Sequence, residues 1–321
     1  MTDPRLEAQL PHTLQGTDYS QLGDRYAGKV RDVYDQGDRL IIVTSDRVSA
    51  FDRILGTIPF KGEILTRMAL AGFEAAQDIL PSHVLDSPDP SVIVGKKCHA
   101  FPVEMVVRGY VTGSLWRDLK SGAADAYELS FPKNLRKDQQ LDQPILTPAT
   151  KAPKGEHDMP TSKAAIVASG AMTAEQLEAA EAAAFALFAR GQALAAERGL
   201  ILVDTKYELG LDADGQLTVI DEIHTPDSSR YWVAEGYAER FEAGEAQQML
   251  DKENLRQWLL EEHGFDGHGE PPALSDEVRV MLADKYIRAF ETVSGQPFEA
   301  EVGPVAARIE QNLRSKGYLP G

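Results

Sequence analysis

The chain has 321 residues, with 33 Lys and Arg against 50 Asp and Glu, a formal net charge of −17. That balance opposes a broad nucleic-acid or anionic-membrane surface and makes any basic residues gathered in a pocket informative. A single cysteine, Cys98, allows no internal disulfide, the amino terminus lacks the charged-then-apolar pattern of a secretory signal, and no run approaches the ~18 apolar residues of a membrane span. A reduced, cytoplasmic setting is expected, and the length suffices for two or three domains.

In chain order, residues 26–46 read as a hairpin around a Gln36-Gly37-Asp38 turn. Leu65, Met68, Ala69 and Phe73 at helical spacing predict a helix over 62–80. Pro81, Pro88 and Pro90 then punctuate the chain, and Val92–Val94 and Val103–Val107 read as strands. Residues 131–163, rich in Pro, Lys, Asp and Thr, lack periodicity and read as a long loop, functional or disordered. Thr173 with Gln176 gives the pattern of a capping box for a helix ending near Gly199. After Pro226 the chain reads as helical over 251–263, 275–293 and 300–316, with Gly267–Pro272 as a linker. The expected class is α+β: an N-terminal β-rich lobe over 1–100, a central domain over 101–245 and a helical C-terminal region over 246–321.

Residues 201–230 carry the densest chemistry. If Asp214-Gly215 makes the two-residue turn this dipeptide favours, Glu208 lies opposite Asp221. Opposed side chains sit roughly 5 Å apart, and two carboxylates there repel unless a cation lies between them or one takes up a proton. A four-residue loop would instead set Lys206 opposite Asp221 as an ordinary cross-strand ion pair. Glu222 points to the other face in either register and reads as a support or a solvated charge, not a first choice as ligand.

Basic residues form two further groups. Gly28-Lys29-Val30-Arg31 places a glycine and two cations at a strand pair, either over phosphates or as solvated strand charges. Neither a P-loop nor a dinucleotide-binding glycine motif is present. Arg108-Gly-Tyr-Val-Thr-Gly113-Ser114 joins a guanidinium, glycines and hydroxyls after an apolar strand, and Arg230, following Asp227-Ser228-Ser229, offers a second fork to the same phosphate monoester. A tight turn with one surface arginine is the plain alternative. Ser45–Asp52 and the Thr147–Lys151 segment add polar groups, and His157-Asp158 adds a titratable pair on what could be a lid.

Taken in order, Gly-Lys-Val-Arg-Asp-Val-Tyr, Ser-Asp-Arg-Val-Ser-Ala-Phe-Asp, Val-Glu-Met-Val-Val-Arg-Gly-Tyr-Val-Thr-Gly-Ser, Asp-Thr-Lys-Tyr-Glu-Leu-Gly and Thr-Pro-Asp-Ser-Ser-Arg-Tyr-Trp resemble the SAICAR synthetases, from Tyr26 to Trp232. Ala149, Met159-Pro160-Thr161 and Phe60 depart from the usual family residues. The length and helical tail are similar to the longer, yeast-like type, which implies a monomer. The resemblance implies a fold related to ATP-grasp, two β-rich lobes with the nucleotide between them, and a ligase coupling ATP cleavage to amide formation between a carboxyaminoimidazole ribonucleotide and L-aspartate. It also assigns roles. Gly28, Lys29 and Arg31 would meet the ATP phosphates, while Glu208 and Asp221 would hold Mg2+. Arg108, Ser114 and Arg230 would take the ribonucleotide phosphate, with Glu104 and Asp227 near the imidazole. Lys206 would meet the transferred phosphate or a substrate carboxylate. The resemblance does not assign the base for the aspartate ammonium; Asp158, the substrate itself and bulk water are the candidates. Competing readings are a ligase of similar architecture with another amino-acid acceptor, and a nucleotide-binding protein without turnover.

Overall fold

The computed structural model describes residues 3–51, 53–151, 158–250, 258–260 and 263–320. Asp52, His157 and most of the helix expected over 251–263 lie outside the described residues. In chain order the elements are α1 (Pro4–Gln9), β1 (Asp24–Ala27), β2 (Arg31–Asp35), β3 (Arg39–Thr44), β4 (Arg47–Ala50), β5 (Arg53–Thr57), α2 (Lys61–Ala75), β6 (Val84–Asp89), β7 (Val92–Lys96) and β8 (His99–Val111). There follow α3 (Gly113–Ser121), β9 (Gln139–Leu146), β10 (Ala149–Thr150), α4 (Lys163–Ala168), α5 (Ala174–Glu197), β11 (Leu200–Leu211), β12 (Leu217–Ile220), β13 (Ser229–Val233), α6 (Tyr237–Ala243), α7 (Asp276–Ser294) and α8 (Val305–Ser315). Among the described residues, no helix is long and apolar enough to cross a membrane.

Two compact units divide the chain: Met1–Ala71, His83–Lys97 and Asp251–Gly321 form one, Gly72–Ser82 and Cys98–Leu250 the other. The first unit holds an antiparallel sheet in the order β1-β2-β3-β7-β6. The expected hairpin is its centre, with Gln36 donating to the Arg39 carbonyl across the turn at 3.0 Å. The chain reverses once more between Ala27 and Arg31, so β1 pairs back onto β2 and three strands stand where one hairpin was expected. Tyr34, Ile41, Val43, Val92 and Val94 bury one face of the sheet under Val305, Ile309 and Leu313 of α8. A second core joins Val48, Ile58, Ile64, Leu65 and Met68 to Ala283, Tyr286 and Phe290 of α7.

The second unit is built on β8 and β11, the two longest strands, paired antiparallel. One side of β11 belongs to β8; the other is shared, β13 along its first half and β12 along its second. Within the 131–163 segment, β9 and β10 both pair with β8. Its lack of sequence period reflects short strands whose pairing is dictated by β8 rather than by their own alternation. The capping box is present, since the Thr173 hydroxyl accepts from the Gln176 amide at 3.1 Å and the Gln176 side chain accepts from the Thr173 amide at 2.8 Å. Gly199, with φ +68°, then ends the helical segment and admits β11.

Candidate active site

Strand alternation puts Asp204, Lys206 and Glu208 on one face of β11, with Asp204 and Glu208 about 13 Å apart along the strand. Register then supplies their neighbours. Arg108 of β8 and Arg230 of β13 flank Asp204 on either side, and Glu104 of β8 stands opposite Glu208. One strand therefore carries a guanidinium pair at one end and a cluster of carboxylates at the other.

At the first end, Arg108 donates from Nη1 to Asp204 Oδ2 at 3.1 Å, from Nη2 to Ser114 Oγ at 2.8 Å and from Nε to Thr147 Oγ1 at 2.6 Å. Arg230 Nη1 reaches the same Asp204 oxygen at 2.6 Å. Gly113, the first residue of α3, has φ +56°, and a Cβ there would meet the Arg230 guanidinium at 2.5 Å. The glycine is thus needed twice, for its left-handed backbone and for the space taken by the arginine. Two guanidinium groups, one carboxylate, a hydroxyl and a helix N-terminus leave net positive potential suited to a phosphate monoester. The structure thus brings Arg108, Ser114 and Arg230 together. It adds Asp204 and Thr147, which the sequence reading left unassigned; alternation from Glu208 and Lys206 would have marked Asp204.

At the other end the expected register does not hold. Glu208 pairs with Ile220, not with Asp221 or any residue that would set Lys206 opposite Asp221. The loop has three residues in place of two or four: Gly215 donates to the Asp212 carbonyl at 3.0 Å, and Gly215 itself is left-handed at φ +77°. Asp221 follows the end of β12 with φ +67°, leaving the ladder there. Burial pushes Glu208 above the ordinary carboxylate range and the charge of Asp221 pushes it further, against the opposing pull of Lys151 and Lys206.

Lys206 donates to Glu104 Oε1 at 2.6 Å, and Lys151 pairs with Glu208. Burial alone would lower the Lys206 ammonium, yet Glu104, Glu208 and Asp221 together hold it above its ordinary value. It is a fixed cation, suited to steering anions and unsuited to taking a proton near neutral pH. Among the described residues, no three His, Cys, Asp or Glu side chains form a ready cage for a metal. One or two carboxylates are what magnesium needs from a protein, because that ion keeps several waters, so Glu208 and Asp221 would suffice as its protein ligands.

Residues 221–228 bridge β12 and β13. Glu222 is buried and accepts from the Thr225 hydroxyl at 2.8 Å, so it is not a solvated charge. Asp227 lies in the turn built by Thr225, just before Arg230. On the opposite face of β11, Tyr207 and His224 are bonded at 2.7 Å, with His224 filling the space a side chain at Gly191 would need. Asp158 is exposed beside the Thr150–Met159 contact, next to β10. In the first unit, Gly28 donates to the Arg31 carbonyl at 2.8 Å, making a tight reversal with Lys29 exposed at its tip.

A family model described as SAICAR synthetase matches residues 24–271. The chain belongs to the SAICAR synthetase family. It is 45% identical over 304 residues to the phosphoribosylaminoimidazole-succinocarboxamide synthase of Legionella pneumophila (strain Lens), covering 91% of this chain and 95% of that one. It is 47% identical over 307 residues to the protein of the same name from Bacteroides fragilis, covering 94% and 97%. Among solved structures, SAICAR synthase from Saccharomyces cerevisiae complexed with SAICAR superposes with a TM-score of 0.77 at 28% identity, over 90% of this chain and all of that one. The mixed α and β architecture is that of the SAICAR synthetases, and the family match spans every candidate site residue from Gly28 to Arg230.

Proposed function

We infer that this chain is an ATP-dependent ligase of purine biosynthesis. It joins the carboxylate of 5-amino-1-(5-phosphoribosyl)imidazole-4-carboxylate to the amine of L-aspartate, giving SAICAR, ADP and phosphate. The observation that carries the site assignment is the Arg108–Asp204–Arg230 bridge on the same strand face as Lys206 and Glu208. It supplies a grip for the ribonucleotide's phosphate at a fixed distance from a carboxylate cluster.

A carboxylate has no leaving group, so its oxygen first attacks the γ-phosphorus of ATP and ADP departs. The neutral amine of aspartate then attacks the acyl carbon, and phosphate leaves with the oxygen that had been the substrate's own. Arg108, Ser114 and Arg230 bind the 5'-phosphate, which fixes the imidazole end relative to Glu208. Glu104 and Asp227 face the imidazole and its amino group. Lys206, held protonated, offsets charge on the transferred phosphate or the substrate carboxylate, and Lys29 and Arg31 with Gly28 meet the nucleotide phosphates. Magnesium held by Glu208 and Asp221 would neutralise charge on the phosphoryl group in flight. Asp158 takes the proton that the aspartate ammonium loses before attack. A cytoplasmic monomer with a fold akin to ATP-grasp completes the proposal.

The test is an amino-acid panel with ATP and the imidazole ribonucleotide. Phosphate release with L-aspartate alone is expected. Release with glutamate and not aspartate would favour the other-acceptor ligase, and no release with any amine would favour a nucleotide-binding protein without turnover.

A further inference from the structure

Arg47, at the start of β4, spends its guanidinium almost wholly on backbone carbonyls. Nε donates to the Lys29 carbonyl at 2.9 Å, Nη2 to the Gly28 carbonyl at 3.1 Å and Nη1 to the Gln15 carbonyl at 2.6 Å. Its side chain is 8% exposed, and it is anchored from behind by Asp32, wholly buried, at 3.1 Å. Asp32 also accepts from the Thr17 amide at 2.7 Å, and a Cβ at Gly16 would meet Arg47 Nη1 at 3.1 Å and Asp32 Oδ2 at 3.2 Å. Ser45 takes the next carbonyl: its hydroxyl donates to the Val30 oxygen at 2.7 Å. Three consecutive carbonyls, of Gly28, Lys29 and Val30, are therefore pinned inward by two side chains.

In a planar trans peptide the N–H points opposite to the C=O. Pinning the Gly28 and Lys29 carbonyls inward therefore turns the Lys29 and Val30 amides the other way. Successive amides facing one side form an anion-binding concavity.

We propose that Arg47 is a positioning residue for the nucleotide: it holds the Gly28–Arg31 loop in the conformation that presents its amides, with the Lys29 and Arg31 side chains, to the phosphates of ATP. This rests on the reading that the loop meets those phosphates, and the experiment separates the two. Dissociation constants for ATP, for inorganic tripolyphosphate and for the imidazole ribonucleotide are measured by calorimetry on the full chain, alongside melting temperatures.

Arg47→Lys keeps the charge but not the planar fork, so it cannot reach the carbonyls of both Gly28 and Lys29. It is expected to weaken ATP and tripolyphosphate roughly tenfold to a hundredfold, the scale of a misplaced binding group, with ribonucleotide affinity unchanged. Asp32→Asn, which removes the anchor and leaves Arg47 in place, is expected to weaken the same two ligands by a smaller factor. Unchanged ATP affinity in Arg47→Lys, while Lys29→Ala weakens ATP, would overturn the proposal and leave the loop reading standing. Proportional weakening of all three ligands with a lowered melting temperature would also overturn it, as general destabilisation. Unchanged ATP affinity in Lys29→Ala would sink the loop reading itself.

Discussion

Asp204 takes hydrogen bonds from two guanidinium groups through one oxygen, which holds both forks in place. Removing one fork should show up as lost ribonucleotide affinity. Arg230→Ala is expected to raise the KM for the ribonucleotide by about thirtyfold, equivalent to ~2 kcal/mol for a charge-assisted contact, with the KM for ATP unchanged. An equal rise in both would argue against a phosphate role for Arg230. Glu208→Gln and Asp221→Asn are each expected to lower kcat by several powers of ten with an unchanged melting temperature, because under the proposed assignment they would hold the metal that stabilises charge on the phosphoryl group. Near-normal turnover in either variant would remove the metal assignment. Lys206 is held above its ordinary pKa by the three surrounding carboxylates. The alkaline limb of the rate profile is therefore expected to be free of a lysine titrating near neutrality.

At the scale of elements, the steric fit of α3 against β13 gives a test that touches no polar group. Gly113→Ala would need both a strained left-handed backbone and displacement of Arg230, so it is expected to raise the ribonucleotide KM much as Arg230→Ala does. A normal KM would mean that Arg230 does not contact ligand from its observed place. The carboxylate hairpin illustrates what local sequence determines and what it leaves open. Lys206 and Glu208 share one face of β11, because the period of two depends only on the strand itself. Register depended on the turn, where Asp214-Gly215 is equally compatible with a three-residue loop ending in left-handed Gly215. A shift of one residue removed Asp221 from its expected partner, and the left-handed backbone at Asp221, where the chain leaves the ladder, is invisible in the residue type. The capping box at Thr173 was legible since its two hydrogen bonds are local. Strands β9 and β10 were not, because the edge of β8 selects them.

For the molecule as a whole, two buried titratable groups set opposing slopes of stability against pH. Burial lowers His224 in the second unit from 6.5 to about 4, so it stays neutral when folded while the unfolded chain takes up a proton below 6.5. Its contribution is full above 6.5 and is lost as pH falls from there toward 4. Burial raises Asp46 in the first unit to about 6, against hydrogen bonds from the Leu14 and Gly62 amides. Its protonated form is favoured in the fold, so its contribution is present below 3.8 and lost as pH rises through about 6. The two partly cancel, and only the difference between wild type and variant isolates either. Relative to His224→Gln, the wild type is expected to lose about 2 kcal/mol between pH 7 and pH 5 in denaturant titrations. Parallel curves would show that the histidine is not held neutral.

Ligation through an activated carboxylate is tested most directly by following one oxygen atom. With the ribonucleotide's carboxylate labelled with heavy oxygen, turnover in the presence of ATP and L-aspartate is expected to deliver one labelled atom into each phosphate released, since that oxygen bonds to phosphorus before the amine displaces it. Unlabelled phosphate would contradict phosphorylation of the carboxylate and, with it, the chemistry assigned to Lys206, Glu208 and Asp221.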